Sequence, residues 1–125
     1  MAKRVITLPN APKLPFSPAI RAGDYIFVSG QIGFQDAKGN EIKGIEAQLR
    51  QCLENMKQVL KAAGSSMDDV AKVTVFLRNQ DDFAKMNEVY QGYFPGDKPA
   101  RSTVVAALAL PAMLVEVECI AYHPA

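Results

Sequence analysis

The sequence predicts an α+β fold in which two amphipathic helices pack on one face of a β-sheet. Three observations lead to this prediction. Two segments show the helical spacing of apolar side chains, several others are rich in β-branched and aromatic residues, and glycine or proline separates them. The chain has 125 residues, of which 49% are hydrophobic. We therefore expect residues 1–125 to form one domain with a substantial core.

The first third of the chain is predicted to form two strands separated by an extended segment. Residues 2–8 fit a short edge strand. Four prolines then exclude a helix: Pro9, Pro12, Pro15 and Pro18. After the turn at 22–24, residues 25–33 have the composition of a strand, with Ile26, Val28 and Ile32 on one face. Gly30 interrupts it, which indicates a bulge or a close backbone approach, and we expect a simple bulge.

The central part of the chain contains the first helix and the next strand. A stripe of apolar residues from Ile45 to Ala63 has helical spacing, and Gly64 provides its end. A capped turn over 65–69 precedes a strand over 70–77, in which Val73, Val75 and Leu77 share one face.

The last part of the chain contains the second helix and two strands. Asp81 or Asp82 can cap the helix. Its apolar stripe is Phe83, Met86, Tyr90 and Tyr93, and Pro95-Gly96 follows. Two strands, about 101–107 and 114–122, are joined around Pro111 and are predicted to form a hydrophobic hairpin.

The apolar residues of the strands are too numerous for one covered face. Two helices cover the face formed by Ile26/Val28/Ile32, Val73/Val75/Leu77, Val104/Ala106 and Val115/Val117/Cys119/Ala121. The opposite face is then Tyr25, Phe27, Ser29, Thr74, Phe76, Arg101, Thr103, Val105, Leu114, Glu116, Glu118, Ile120 and Tyr122. Because that face is too apolar for bulk water, we expect a homo-oligomer with Ser29, Arg101, Thr103 and Glu116 near the interface.

Arg101 and Glu116 are charged residues in the most apolar stretch of the chain, 98–122. Strand parity places both on one side of the predicted hairpin, about 13 Å apart along the strand, which leaves room for a small ligand. Arginine suits the grip of a carboxylate, and glutamate suits the positioning or deprotonation of water. On composition alone, the commoner role of such residues is a surface salt bridge.

Composition and motifs exclude several classes of function. Lys and Arg number 14 against 13 for Asp and Glu, which gives no footprint for nucleic acid or an anionic membrane. The run 104–115 is too short to span a bilayer. With one histidine, His123, and only the isolated Cys52 and Cys119, no metal site or Ser-His-Asp triad is expected.

The absence of an export signal and the two cysteines predict where the protein works. Only four mostly apolar residues precede Pro9, which is too few for a signal-peptide core. The cysteines lie on predicted apolar faces and are expected to be reduced. We therefore expect a cytoplasmic protein.

Several motifs together resemble one known family. They include Pro-Phe-Ser-Pro-Ala at 15–19, Ser-Gly-Gln-Ile at 29–32, Met-Asn-Glu-Val-Tyr at 86–90 and Pro-Ala-Arg-Ser at 99–102. Nearly end to end, the chain resembles the Rid family of reactive intermediate deaminases, also called the YjgF family. The resemblance implies a chorismate-mutase-like α+β domain with a mixed sheet, assembled as a homotrimer with sites in the clefts between subunits.

The resemblance also implies an activity and a set of site residues. Active members hydrolyse enamine or imine intermediates such as 2-aminoacrylate, in its 2-iminopropionate form, to 2-keto acids and ammonia, without a metal or organic cofactor. By resemblance, Arg101 clamps the substrate carboxylate and Glu116 holds the attacking water. The implied substrate-binding residues are Phe16, Ser29, Gly30, Asn87 and Thr103.

Two positions depart from the family pattern, and other functions stay open. Phe16 stands where many active members have tyrosine, and Thr103 replaces a frequent cysteine. One alternative is a non-catalytic trimer that binds 2-keto acids or other carboxylates in the same cleft. Another is a deaminase dedicated to one pathway, such as one acting on aminomuconate-like compounds. The near-neutral charge gives little support to a ribonuclease.

Overall fold

The computed structural model describes residues 2–125 as six strands, which form one sheet, and two helices. Short 3₁₀ turns at Met67–Asp69 and Gln80–Asp82 precede β4 and α2. The elements in chain order are β1 (Arg4–Ile6), β2 (Ala19–Ala22), β3 (Tyr25–Ile32), α1 (Ile45–Ala62), β4 (Val70–Leu77), α2 (Phe83–Gly92), β5 (Ala100–Val105) and β6 (Val115–Tyr122).

The sheet is mixed, with strand order β1-β2-β3-β6-β4-β5. Strands β4 and β5 are parallel, and every other neighbouring pair is antiparallel. Helix α1 connects β3 to β4, and α2 connects β4 to β5, so each helix crosses between strands that run in the same direction. The last strand, β6, lies in the centre of the sheet, between β3 and β4.

Both helices lie on the same face of the sheet, as the sequence predicted. The buried stripe of α1 packs against β3, β6 and α2. The inward residues of the strands complete the core; Ile26, Val73, Val75, Val115 and Val117 are among those with no more than traces of exposed surface. Gly64 follows α1 with φ of 80°, the left-handed conformation that ends a helix and favours glycine.

The strand β2 is absent from the sequence-based prediction. Its four residues follow Pro18 and lead into the turn at Gly23, a region for which we predict no strand. In the structure Arg21 is buried, and its Nη1 donates to the carbonyl oxygens of His123 at 2.7 Å and Gly23 at 3.2 Å. A buried arginine therefore takes an inward position where the pattern of apolar residues gives no signal.

The predicted hairpin of β5 and β6 is wrong, because β4 lies between these two strands. In the parallel pair, Arg101 is opposite Val73 and Thr103 is opposite Val75. Opposed residues point to the same face, so the side chains of Arg101 and Thr103 are on the helix side. Val104 instead points to the open face, where 46% of its surface is exposed.

A bulge in β3 moves Ile32 to the open face. The pairing of β3 with β6 shifts between Val28 and Gln31, and Ile32 then lies opposite Glu116. One extra residue in a strand moves every later side chain of that strand to the opposite face of the sheet. The bulge around Gly30 is confirmed, but the expectation that Ile32 lies in the core is wrong.

The open face of the sheet is apolar, which agrees with the sequence-based prediction. Tyr25, Phe27 and Tyr122 each expose close to half of their surface, and the rings of Tyr25 and Tyr122 meet edge to face with centroids 5.5 Å apart. The homo-oligomer that we expected from this face stays a prediction.

Within residues 2–125, no helix combines the length and the apolar character required to cross a membrane.

Gln48 forms a buried polar clamp between α1 and the segment that leads into β6. Its Nε2 donates to the carbonyl oxygens of Ile42 at 3.0 Å and Ala112 at 2.9 Å, and its Oε1 accepts from the backbone N–H of Leu114 at 2.9 Å. The side chain is 2% exposed. It fixes two loops to the helix.

We predict that Gln48→Leu lowers the free energy of unfolding by about 3 kcal/mol, because it leaves three backbone groups without their partner. Urea denaturation monitored by circular dichroism measures this change. Gln51→Leu is the matched control on the same helix, since the Gln51 side chain donates from Nε2 to Oδ1 of Asn55 in the next turn and holds no loop. A loss below 1 kcal/mol for Gln48→Leu would contradict the role of the clamp.

Candidate functional site

The seven predicted site residues form two groups on different parts of the domain. The carboxylate group lies around the β3 bulge and the centre of β6 and consists of Phe16, Ser29, Gly30 and Glu116. The guanidinium group lies on α2 and β5 and consists of Asn87, Arg101 and Thr103. Because β4 separates β5 from β6, the two groups do not meet within one chain.

Gly30 and Glu116 form the centre of the carboxylate group. The Glu116 carboxylate occupies the space that a Cβ at position 30 would take. A side chain at position 30 would therefore have to displace the Glu116 carboxylate from its place beside the bulge. We expected a simple bulge, and the structure adds the close approach that we had considered as the alternative.

Glu116 is a half-buried carboxyl whose environment disfavours its charge. Burial raises its pKa above the ordinary value of 4.5, and the neighbouring negative charge of Glu118 raises it further. A carboxyl with a raised pKa can both donate and accept a proton closer to neutral pH. This property is suited to a proton-transfer group.

Ser29 and Phe16 border the same region. The Ser29 hydroxyl donates to the carbonyl oxygen of Ser17 at 2.6 Å, and this bond fixes the proline-rich segment to β3. Phe16 on that segment is 57% exposed, so its ring is not an anchor in the core. A mainly apolar cavity of about 460 Å³ is lined by Phe16, Gly30 and residues of the N-terminal segment.

Arg101 is the centre of the guanidinium group. Its guanidinium carbon lies 4.7 Å from the ring centroid of Tyr90 and 5.8 Å from that of Phe83, and Nη1 lies 3.8 Å from the sulfur of Met86. Among residues 2–125, no carboxylate lies within 4 Å of this side chain. Its positive charge is therefore available to an external anion.

Asn87 and Thr103 lie on the two elements that position Arg101 and its aromatic contacts. Thr103 is two residues further along β5, on the same face, and both it and Asn87 are half-buried. Asn87 is on α2, one turn from Phe83 and Tyr90. These two polar side chains therefore belong to the same two elements as Arg101 and the rings that contact it.

The relative position of Arg101 and Glu116 corrects the sequence-based expectation. Glu116 is opposite Phe76, which is opposite Val104, and Arg101 is three residues before Val104. Three residues correspond to about 10 Å along a strand, and two strand spacings add about 10 Å across the sheet. The two side chains also point to opposite faces. A small ligand cannot touch both within one chain.

Sequence reasoning missed the residues that surround Arg101. Phe83, Met86 and Tyr90 were assigned to the core stripe of the second helix, which holds for Met86 and Tyr90. Phe83 is 45% exposed, so its predicted core position is wrong. The helical spacing of these three residues would have indicated a contact with Arg101 only if β5 were known to lie beside α2 with the Arg101 side chain on the helix face.

Within residues 2–125, the two cysteines and the histidine do not form a second reactive centre. Burial raises the pKa of Cys52 and of Cys119 to about 12, so both thiols stay protonated. His123 pairs through Nδ1 with Asp69 at 2.9 Å, near the end of the chain. The described part of the chain, 2–125, brings together no group of His, Cys, Asp and Glu suited to a metal ion.

Comparison with known proteins places the chain in a family. The family model described as Endoribonuclease L-PSP matches residues 8–123. A RutC family protein of Pyrococcus horikoshii is 50% identical over 123 residues, which cover 96% of this chain and 98% of that protein. The chain belongs to the Rid family, also called the YjgF family.

Two further relatives connect this family membership to an activity and a fold. A Dermatophagoides farinae protein named 2-iminobutanoate/2-iminopropanoate deaminase is 40% identical, with 94% of each chain covered. The crystal structure of a Rid family protein of unknown function from Yersinia pestis matches with a TM-score of 0.89 and 39% identity, over 97% of this chain and 99% of that one. The expected family and α+β fold are confirmed, and the family includes proteins named as deaminases.

We predict that Glu116→Gln stabilises the protein at neutral pH and that this gain disappears near pH 4. Because the folded pKa of Glu116 is raised, the native state binds more protons than the unfolded state above the ordinary carboxyl pKa. The stability of the wild type therefore falls, relative to the variant, as the pH rises through that window. Urea denaturation at several pH values measures the difference.

Glu118→Gln is the control, because it removes the second cause of the shift and leaves burial in place. It should give a smaller gain with the same pH trend. A Glu116→Gln variant that is less stable than the wild type at pH 7 would contradict the desolvation of this carboxyl.

Proposed function

We propose that this protein hydrolyses small 2-imino acids, such as 2-iminopropanoate and 2-iminobutanoate, to 2-keto acids and ammonia. The proposal is supported by membership of the Rid family and by the name of the Dermatophagoides relative. The observation that carries it is the pair of complementary groups: an unpaired guanidinium at Arg101 and a desolvated carboxyl at Glu116.

In this proposal, the two groups meet between subunits of a homotrimer. One chain cannot apply both groups to a small substrate, because they lie on opposite faces of its sheet. The apolar open face, which carries Glu116, offers a surface for another copy. The guanidinium group of one subunit then faces the carboxylate group of its neighbour. We take the trimeric state from the resemblance to the family.

The proposed reaction adds water across the C=N bond. Arg101 holds the substrate carboxylate in a bidentate pair, which orients the imine carbon. The oxygen of the attacking water bonds to the imine carbon and gives one proton to Glu116, while the C=N π pair becomes a lone pair on nitrogen, which takes up that proton from Glu116. Glu116 then relays the hydroxyl proton of the resulting carbinolamine to its nitrogen; the C–N bond breaks, ammonia leaves with the electron pair of that bond, and a C=O bond remains. A raised pKa suits Glu116 for both proton transfers.

The remaining residues shape the proposed cleft. Asn87 and Thr103 border the carboxylate-binding end, and Ser29, Gly30 and Phe16 border the end near the water. Phe16 can stack on the substrate but offers no hydroxyl, which tyrosine would. The proposed chemistry needs no metal or organic cofactor, because the imine is already electrophilic.

We predict that Arg101→Ala lowers kcat/KM for 2-iminopropanoate about 10²-fold, mainly by raising KM, because the carboxylate clamp is lost. Arg101→Lys should retain part of the affinity, since it keeps the charge without the planar fork. Glu116→Gln should lower kcat about 10²- to 10⁴-fold. The assay follows the disappearance of 2-iminopropanoate made in situ by an amino-acid oxidase.

Arg50→Ala and Glu88→Gln, at exposed helix positions, are the matched controls and should retain wild-type rates. A wild-type rate for Arg101→Ala would refute the clamp. Turnover that is absent in the wild type, together with 2-keto acid binding that Arg101→Ala abolishes and Glu116→Gln preserves, would favour the non-catalytic binding alternative.

We predict that two inactive variants restore activity when they share a trimer. If each site takes Arg101 from one subunit and Glu116 from the next, every mixed trimer of Arg101→Ala and Glu116→Gln chains has one intact site. Random mixing of equal amounts then gives about a quarter of the wild-type rate. The measurement uses co-refolded chains that carry different tags; the unfractionated mixture should give about a quarter of the wild-type rate, and the mixed species purified on both tags about a third.

Each variant refolded alone is the control and should stay inactive. Mixed species that form but show no activity would contradict a site shared between subunits. Light scattering that gives a monomer at micromolar concentration would contradict the assembly itself.

A further inference from the structure

Arg101 is held by aromatic rings and a sulfur atom where a half-buried arginine would ordinarily be held by a carboxylate. We propose that Phe83 is a positioning residue, which presents the Arg101 guanidinium to the substrate carboxylate through a cation–π contact. This inference rests on the proposed function, because it concerns the affinity of the same clamp for its substrate.

Three side chains of α2 surround the Arg101 guanidinium: Phe83, Met86 and Tyr90. We call these three residues the Arg101 cage. The ring of Tyr90 lies closest, with its centroid 4.7 Å from the guanidinium carbon, and that of Phe83 lies at 5.8 Å. Both distances fall within the range of a cation–π contact. The cage therefore fixes the position of the charge without neutralising it.

A carboxylate in place of the cage would compete with the substrate. An arginine paired with a protein carboxylate must give up or share that pair when an anionic ligand arrives. A ring binds the face of the guanidinium, and apart from the Nη1 contact with the Met86 sulfur its N–H groups stay available for a bidentate carboxylate. A flexible, unsupported arginine would instead lose side-chain entropy on binding.

Phe83 is the member of the cage whose position core packing does not explain. Met86 is fully buried and Tyr90 is 5% exposed, so both also fill the core between α2 and the sheet. Phe83 is 45% exposed and is the first residue of α2. Its contact with Arg101 is thus the one that can be altered with little effect on the core.

The test replaces Phe83 with phenylalanines that carry one, two or three ring fluorines. Fluorination weakens the electrostatic attraction of the ring for a cation while the shape changes little. We expect KM for 2-iminopropanoate to rise stepwise, about three- to tenfold in total, with kcat unchanged. The dissociation constant of 2-oxobutanoate, measured by calorimetry, should rise in parallel.

Phe83→Leu should raise KM by a similar factor, because it removes the ring altogether. The matched control is Tyr93→Leu, since the Tyr93 ring lies 5.9 Å from the ammonium of Lys57, a contact of the same kind made with a different cation. That variant should keep the wild-type KM. Thermal melting of each variant separates a change in KM from a loss of folded protein.

The outcomes distinguish the two proposals. A KM that stays constant through the fluorine series, while Arg101→Ala still loses activity, would overturn the role of Phe83 and leave the proposed function intact. Wild-type activity in Arg101→Ala would instead contradict the clamp itself. A fall in kcat without a rise in KM would also contradict a positioning role through the carboxylate.

Discussion

The parallel register of β4 and β5 is the constraint on which the candidate site depends. It places Arg101 opposite Val73 and so turns the guanidinium toward α2. The same register turns Val104 to the open face, which it shares with Glu116. A shift of one residue would place Arg101 on the open face, remove it from the rings of α2 and return it to the side that the sequence alone suggested.

Much of the fold could be predicted from the sequence, because its signals are local. The stripe of α1, the stop at Gly64 and the composition of β3, β4 and β6 each follow from the spacing of side chains along one element. The errors concern non-local pairing. The spacing of residues 98–122 is compatible with a hairpin, and nothing in it shows that β4 separates β5 from β6.

The residues of the candidate site stay a prediction from the family resemblance, which pointed to Arg101, Glu116 and their neighbours. Their relative position could not be predicted from the sequence, and strand parity failed twice. It failed at Ile32, because a bulge reversed the alternation. It failed at Arg101, because α2 offers rings that accept a cation on the helix face. Phe83 was read as a core residue, since helical spacing cannot distinguish a ring that faces a core from one that faces a charge.

Arg101 and Glu116 lie on opposite faces of the sheet, so the proposed activity depends on protein concentration. A site that draws on two chains exists only in the associated state, so its abundance follows mass action. At concentrations well below the dissociation constant of the assembly, folded subunits would carry all the required residues and still lack a working site. The catalytic rate would then rise more steeply than the protein concentration, because each added subunit brings its own residues and also completes the sites of its neighbours.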